Sequence, residues 1–200
     1  MTPIRGLAAA SAATVALLSA CAHDPLPPGA AISLDAVPFA WGTGGTFHAT
    51  ISLTPDDRAA IRAAFTPPPA DGAGERGAIA GAVHRMQLAA CRQTPVRHAL
   101  GYSEVDSDGQ GRMDCVDCST ATTVFLRVLD QQGLLRRHEV MEPLWRYAGG
   151  VVPVHRSAVI RDRATGERFA VDPWLGPYSE PPRIIPLERW KNFDDGPPGG

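Results

Sequence analysis

Lysine is all but missing from this chain: Lys191 is the only one, and the formal net charge at pH 7 is -2 over 200 residues. Without a basic excess or a cluster of cations, nucleic acid is not an expected partner. Also missing is an apolar run of the roughly 20 residues that a membrane-spanning helix needs. The most apolar stretch, residues 7–18, is short and interrupted by small and polar residues. Cysteine is scarce, with four residues at positions 21, 91, 115 and 118. No second tight pair accompanies Cys115 and Cys118, which argues against a structural zinc site, although Cys91, Cys115, Cys118 and His155 would offer four soft ligands. Nor does a strand or βαβ pattern precede the Cys115/Cys118 pair, as a thioredoxin-like redox motif would require.

What is present is a helix that opens on a thiol. From Cys115 the apolar residues Cys118, Ala121, Phe125 and Val128, widened by Val124 and Leu129, recur at intervals of three and four, the period of a helix with one buried face. Asp114 is placed to be its N-cap and Gly133 its stop. Cys115 then lies in the first turn, where unpaired N–H groups and the positive end of the helix dipole favour a thiolate. Cys118 lies one turn deeper on the apolar stripe, as a small buried hydrophobe, an alternative nucleophile, or the partner of Cys115 in a redox pair.

Two β-rich runs, residues 151–160 and 167–172, flank the turn signal Ala164-Thr165-Gly166 and read as a hairpin. If Arg161 pairs with Gly166, residue 155 stands directly opposite residue 172. The Cβ atoms of His155 and Asp172 would then be about 4.5–5.5 Å apart. An acid can hold one imidazole nitrogen at that distance and leave the other for a thiol. A slip of one residue would put the two side chains on opposite faces.

Asp114-Cys115-Val116-Asp117, then Leu126-Arg127-Val128-Leu129 in the same helix, then His155 before an apolar strand, then Val171-Asp172-Pro173, resembles the bacterial transglutaminase-like cysteine peptidases over about residues 75–190. The resemblance implies an α+β, transglutaminase-like or papain-like fold. In it, helices pack on an antiparallel sheet, the nucleophile stands at a helix N-terminus, and the histidine and acid stand on a hairpin. Residue by residue, it makes Cys115 the nucleophile, His155 the base and Asp172 the orienting acid of a thiol-dependent hydrolase or acyltransferase for peptide or isopeptide bonds. Members of that family carry an aromatic and an alanine where this chain has Cys118 and Ser119, and alignment on Gly133 selects Cys118 instead. The family's aromatic before the nucleophile has no counterpart here, so the resemblance names no oxyanion-hole partner. The alternatives of other classes are a non-catalytic envelope lipoprotein that keeps the fold as a binding module, and a redox protein using Cys115 and Cys118.

Ahead of this domain, Arg5 and the apolar residues 7–18 read as a signal peptide, residues 1–20. Leu18-Ser19-Ala20-Cys21 resembles a lipoprotein box, which implies lipidation of Cys21. With Ala22 in the next position, the resemblance implies an outer-membrane anchor facing the periplasm, and a protein or peptide substrate in the envelope. Several acyl chains at ~0.8 kcal/mol per buried CH₂ make such an anchor effectively permanent. Residues 21–45, with Pro25, Pro27 and Pro28, read as a tether, 46–192 as the catalytic domain and 193–200 as a disordered tail. In an oxidising compartment three remaining cysteines are an odd number, so a Cys91–Cys118 bridge would free Cys115 and a Cys115–Cys118 bridge would disable it. Phe47 to Leu53 alternate as a strand, Thr54 caps a helix, and Ile79, Val83, Met86 and Ala90 mark another. Glu104, Asp106 and Asp108 before Gly109 open like a calcium loop but lack its closing glutamate. No cofactor is otherwise expected, and His84, His98 and His138 read as surface or satisfied core residues.

Overall fold

The computed structural model describes residues 32–98 and 111–195. The leader, the lipidation residue Cys21, the calcium-loop residues Glu104, Asp106 and Asp108, and residues 196–200 lie outside the described residues. Among the described residues the architecture is α+β, with four helices packed against a two-stranded and a four-stranded antiparallel sheet. In chain order the elements are β1 (Val37–Trp41), β2 (Phe47–Ile51), α1 (Pro55–Ala64), α2 (Gly72–Gln93), a short 3-10 turn (Pro95–His98), α3 (Cys115–Gln131), β3 (His138–Ala148), β4 (Val152–Asp162), β5 (Arg168–Asp172), β6 (Arg183–Pro186) and α4 (Leu187–Lys191).

The chain joins the core earlier than a tether over 21–45 allows. Ile32, Leu34, Val37, Phe39 and Trp41 are buried, and β1 pairs with β2 from Val37–Ile51 to Trp41–Phe47. At the other end, the expected tail is held down as far as Asp195: Arg189 pairs with Asp194, and Arg146 Nη1 donates to Asp195 at 2.7 and 2.9 Å.

The local rules that start helices operate here as the sequence suggests. Thr54 caps α1 through a reciprocal box with Asp57, with Pro55 at the first position, where a missing N–H costs nothing. Asp71 caps α2. Asp114 caps α3 in a second reciprocal box with Asp117, and Gly133 turns the chain out at φ 68°.

α3 is not amphipathic in its surroundings. Every residue from Asp117 to Leu126 is buried, along with Val128 and Leu129. β1 and α2 pack against this helix, as do β3, β4 and β5 of the larger sheet. Three of its polar residues bond at home or to a neighbour: Thr123 Oγ1 donates to Ser119 O, Ser119 Oγ to Val116 O, and Arg156 Nη1 to Thr120 Oγ1. Burial of Phe125, Leu126 and Leu129 contributes about 1.5–3 kcal/mol each, which makes α3 the spine of the fold.

The larger sheet has the order β3-β4-β5-β6. Because side chains alternate along a strand, Ala158, Ile160 and Val171 join the core around α3, while Val159, Ala170 and Ile185 pack beneath α4 with Leu175, Leu187 and Trp190.

The hairpin register differs from the one the turn signal suggests. Arg161 pairs with Arg168, not Gly166, and Ala158 with Val171. β4 runs on to Asp162, whose carboxylate accepts from the N–H groups of Ala164 and Thr165 and so shapes a turn one residue further along. Continued, this ladder sets Ser157 opposite Asp172, with His155 on the diagonal. The shift is two residues, one full period of the pleat, so His155 and Asp172 keep the same face.

Candidate active site

Three elements meet at one end of α3. Cys115 is its first residue and is half-buried, while Cys118, one turn on, is buried. His155 comes from β4 and Asp172 from the end of β5, and each is only 1% exposed. His155 Nε2 lies 2.6 Å from Asp172 Oδ2. A carboxylate can only accept, so Nε2 carries a proton, and Nδ1 is the nitrogen left over. Among the described residues no hydrogen bond of full geometry reaches Nδ1, yet the Cys115 side chain is near enough to raise the pKa of the ring. Such contacts tighten when a reacting group is in place. The ring is stacked on Trp174, with centroids 4.5 Å apart and an interplanar angle of 25°.

Burial is the largest influence on the His155 imidazole and lowers its pKa. The hydrogen bond to Asp172 and the nearness of the Cys115 side chain, with the charges of those two groups, together outweigh it, so the net direction is upward. For Cys118 every influence points the same way: burial first, then the charges of Asp172, Asp117 and Asp114, push its thiol well above the ordinary range. The two cysteines thus stand in different environments, although the spacing alone makes them alternatives.

Asp172 is held from several sides. Its Oδ1 accepts from Trp174 N at 3.1 Å, and its Oδ2 accepts from Trp190 Nε1 at 2.8 Å. Asp117 is committed to structure: its two oxygens accept from Thr43 N and Gly45 N, both at 2.7 Å, which ties the β1–β2 loop to the first turn of α3. Burial, and then the neighbouring charge of Asp114, raise its pKa to about 6 against the pull of the N–H groups of Gly45, Thr43 and Asp114. That loop turns through four consecutive residues of positive φ, Gly42 to Gly45. At Gly42 a Cβ would run into the Phe47 ring.

Cys91 sits near the end of α2, and burial raises its thiol to about 11. Cys91, Cys115 and Cys118 are all free thiols, so neither of the two bridges considered from sequence is present. Among the described residues no group of three or more His, Cys, Asp or Glu side chains is arranged to hold a metal ion, and the Cys91, Cys115, Cys118 and His155 set does not converge as one. His138 is a satisfied core residue, fully buried with Nδ1 3.0 Å from Glu75 Oε1, and His84 Nε2 lies 2.8 Å from Ser179 O.

Sequence reasoning did not single out Trp174 and Trp190. Trp174 carried a signal, an aromatic two residues beyond the acid. Trp190 is 18 residues from Asp172 and carried none. Comparison with protein-family models, with curated proteins and with solved structures gave no match for this chain.

Proposed function

We propose that this chain is a thiol-dependent amide hydrolase or acyltransferase in which Cys115 is the nucleophile, His155 the base and Asp172 the acid that orients it. The observation that carries the reading is the imidazole of His155. It is held through Nε2 by a buried carboxylate, and Nδ1 is left for the one partly accessible thiol of the site. Nδ1 takes the Cys115 proton, and the thiolate adds to an amide carbonyl. The backbone N–H groups of the first turn of α3 face the developing oxyanion, and His155 returns the proton to the leaving amine. Water then releases the acyl group as an acid, and an amine acceptor releases it as a new amide. The placement of thiol, histidine and acid on helix start, β4 and β5 agrees with the transglutaminase-like or papain-like arrangement that the motifs resemble. With the lipoprotein box at Cys21, the reading places the enzyme on a lipid anchor in the bacterial envelope, at the outer membrane and facing the periplasm, with protein or peptide substrates. The redox reading is less favoured because Cys118 is buried on the core side of α3.

The test is digestion of unfolded polypeptides by the reduced wild-type protein and by Cys115→Ser, with peptide mass spectrometry. New chain ends, or amine adducts when a primary amine is supplied, are expected only with wild type. The same products from Cys115→Ser would remove Cys115 as nucleophile.

A further inference from the structure

We propose that Trp190 is a positioning residue of this site: its indole N–H donates to the same Asp172 oxygen that holds His155 and so limits how strongly that carboxylate draws the imidazole proton. The inference rests on the thiol acyl-transfer reading above and assigns a role to a residue that reading does not use.

Trp190 is fully buried in α4, which follows β6 and covers the far face of the sheet. A buried indole N–H must find an acceptor. Here it finds Asp172 Oδ2 at 2.8 Å, while His155 Nε2 reaches that oxygen at 2.6 Å. The Trp190 ring also stands 5.7 Å from the His155 ring, centroid to centroid. One oxygen therefore serves two donors, and the backbone N–H of Trp174 takes the other.

Trp190 is itself clamped. Arg146 Nη1 donates to Trp190 O at 3.1 Å, and its guanidinium carbon lies 5.2 Å from the centre of the indole ring, while Asp195 fixes the same Nη1. Arg146 is the cross-strand partner of His155 in the β3–β4 ladder. The contacts form a closed ring: β4 presents His155, Asp172 holds His155, Trp190 holds Asp172, and Arg146 holds Trp190 from the strand beside β4. A tryptophan that only filled space would not need its polar atom aimed at the one carboxylate that touches the base.

The sign of the effect follows from charge. Each donor to a carboxylate spreads its negative charge, so removing the indole donor makes Asp172 a stronger acceptor for the proton on Nε2. The imidazolium is then stabilised and His155 holds its protons to higher pH. The other charged or titratable groups around the pair are Cys115 and Cys118 from α3, Arg146 opposite His155 on β3, Arg183 opposite Asp172 on β6, and Asp195 beyond Arg146. All of them remain in a Trp190→Phe variant.

The experiment follows the His155 ring and the Trp190 indole N–H by NMR across pH in the reduced wild-type protein. It then follows His155 in Trp190→Phe, with iodoacetamide labelling of Cys115 measured on the same samples. The indole signal is expected to move with the His155 midpoint in wild type. In the variant that midpoint should rise by about one pH unit, and the alkaline limb of Cys115 labelling should follow it. An indole signal that ignores the His155 titration overturns the proposal in wild type alone, even if the variant fails to fold. A folded variant whose midpoint stays within about 0.2 unit, a negligible energy on the pKa scale, overturns it too. Wild-type labelling that is indifferent to His155→Ala would instead remove the thiol reading, and the NMR titration reports Trp190 independently of that result.

Discussion

Replacing Asp172 with asparagine is expected to cut amide turnover by about 10²- to 10⁴-fold while lowering the melting temperature by only a few degrees. Asp172 Oδ2 accepts from both His155 Nε2 and Trp190 Nε1. An asparagine offers one oxygen and one NH₂ group in the same space. If the oxygen keeps the Trp174 N–H, the NH₂ takes the Oδ2 position and faces Nε2, which can then only accept, and the ring proton moves to Nδ1. That nitrogen becomes a donor toward Cys115 and can no longer take its proton. The same pair predicts a pH signature in stability. His155 titrates above its ordinary value in the folded protein, because its partners outweigh the effect of burial. Its contribution is full below the unfolded value near 6.5 and is lost as pH rises through the raised folded value. Asp172→Asn should flatten that fall. Turnover close to wild type in a folded Asp172→Asn protein would reduce Asp172 to a strand terminator.

The largest loss of stability is expected from Glu75→Ala, at the opposite end of the sheet. Glu75 is fully buried, and its carboxylate accepts from the backbone N–H groups of Arg136, Arg137 and His138 at 2.9–3.1 Å and bonds His138 Nδ1 at 3.0 Å. It closes the turn that leads into β3 onto the first turn of α2. Removing one acceptor strands several donors at once. The expected cost is about 3–5 kcal/mol, on the order of 10 °C in melting temperature for a chain of this size. His138 pairs with Asp162 while Arg146 pairs with His155, so along β3 the two sites are separated by about 25 Å. Cys115 chemistry below the new melting point should be unchanged. A shift of less than a few degrees would show that water replaces the carboxylate at little cost.

The parts legible in the sequence were those fixed by short-range chemistry. Asp114, the stripe from Cys118 to Leu129, and Gly133 delimit α3 because a cap, a 3.6-residue period and a left-handed stop are local signals. Thr54 and Pro55 did the same for α1. The hairpin was legible as a hairpin but not in its register, since Ala164-Thr165-Gly166 marks a turn without saying that Asp162 extends β4 and caps that turn with its side chain. The face survived because the error equalled the side-chain period. β3 was not legible: Glu142 and Pro143 interrupt its pattern, the ladder is irregular between Met141 and Leu144, and most of its residues are only partly covered. β1 was hidden behind a proline-rich approach, and β6 has only four residues. Trp190 could not be read because its partner lies across a fold that the sequence does not display.

The central claim, that His155 activates Cys115, is tested most directly by the rate at which iodoacetamide modifies Cys115 near pH 6 in the reduced protein and in His155→Ala, read residue by residue by peptide mass spectrometry. The account predicts that Cys115 reacts faster than Cys118 in wild type and that His155→Ala slows it by about 10-fold or more, since the imidazolium partner that favours the thiolate is gone. Equal rates at Cys115 in the two proteins, or faster modification of Cys118 than of Cys115, would contradict it.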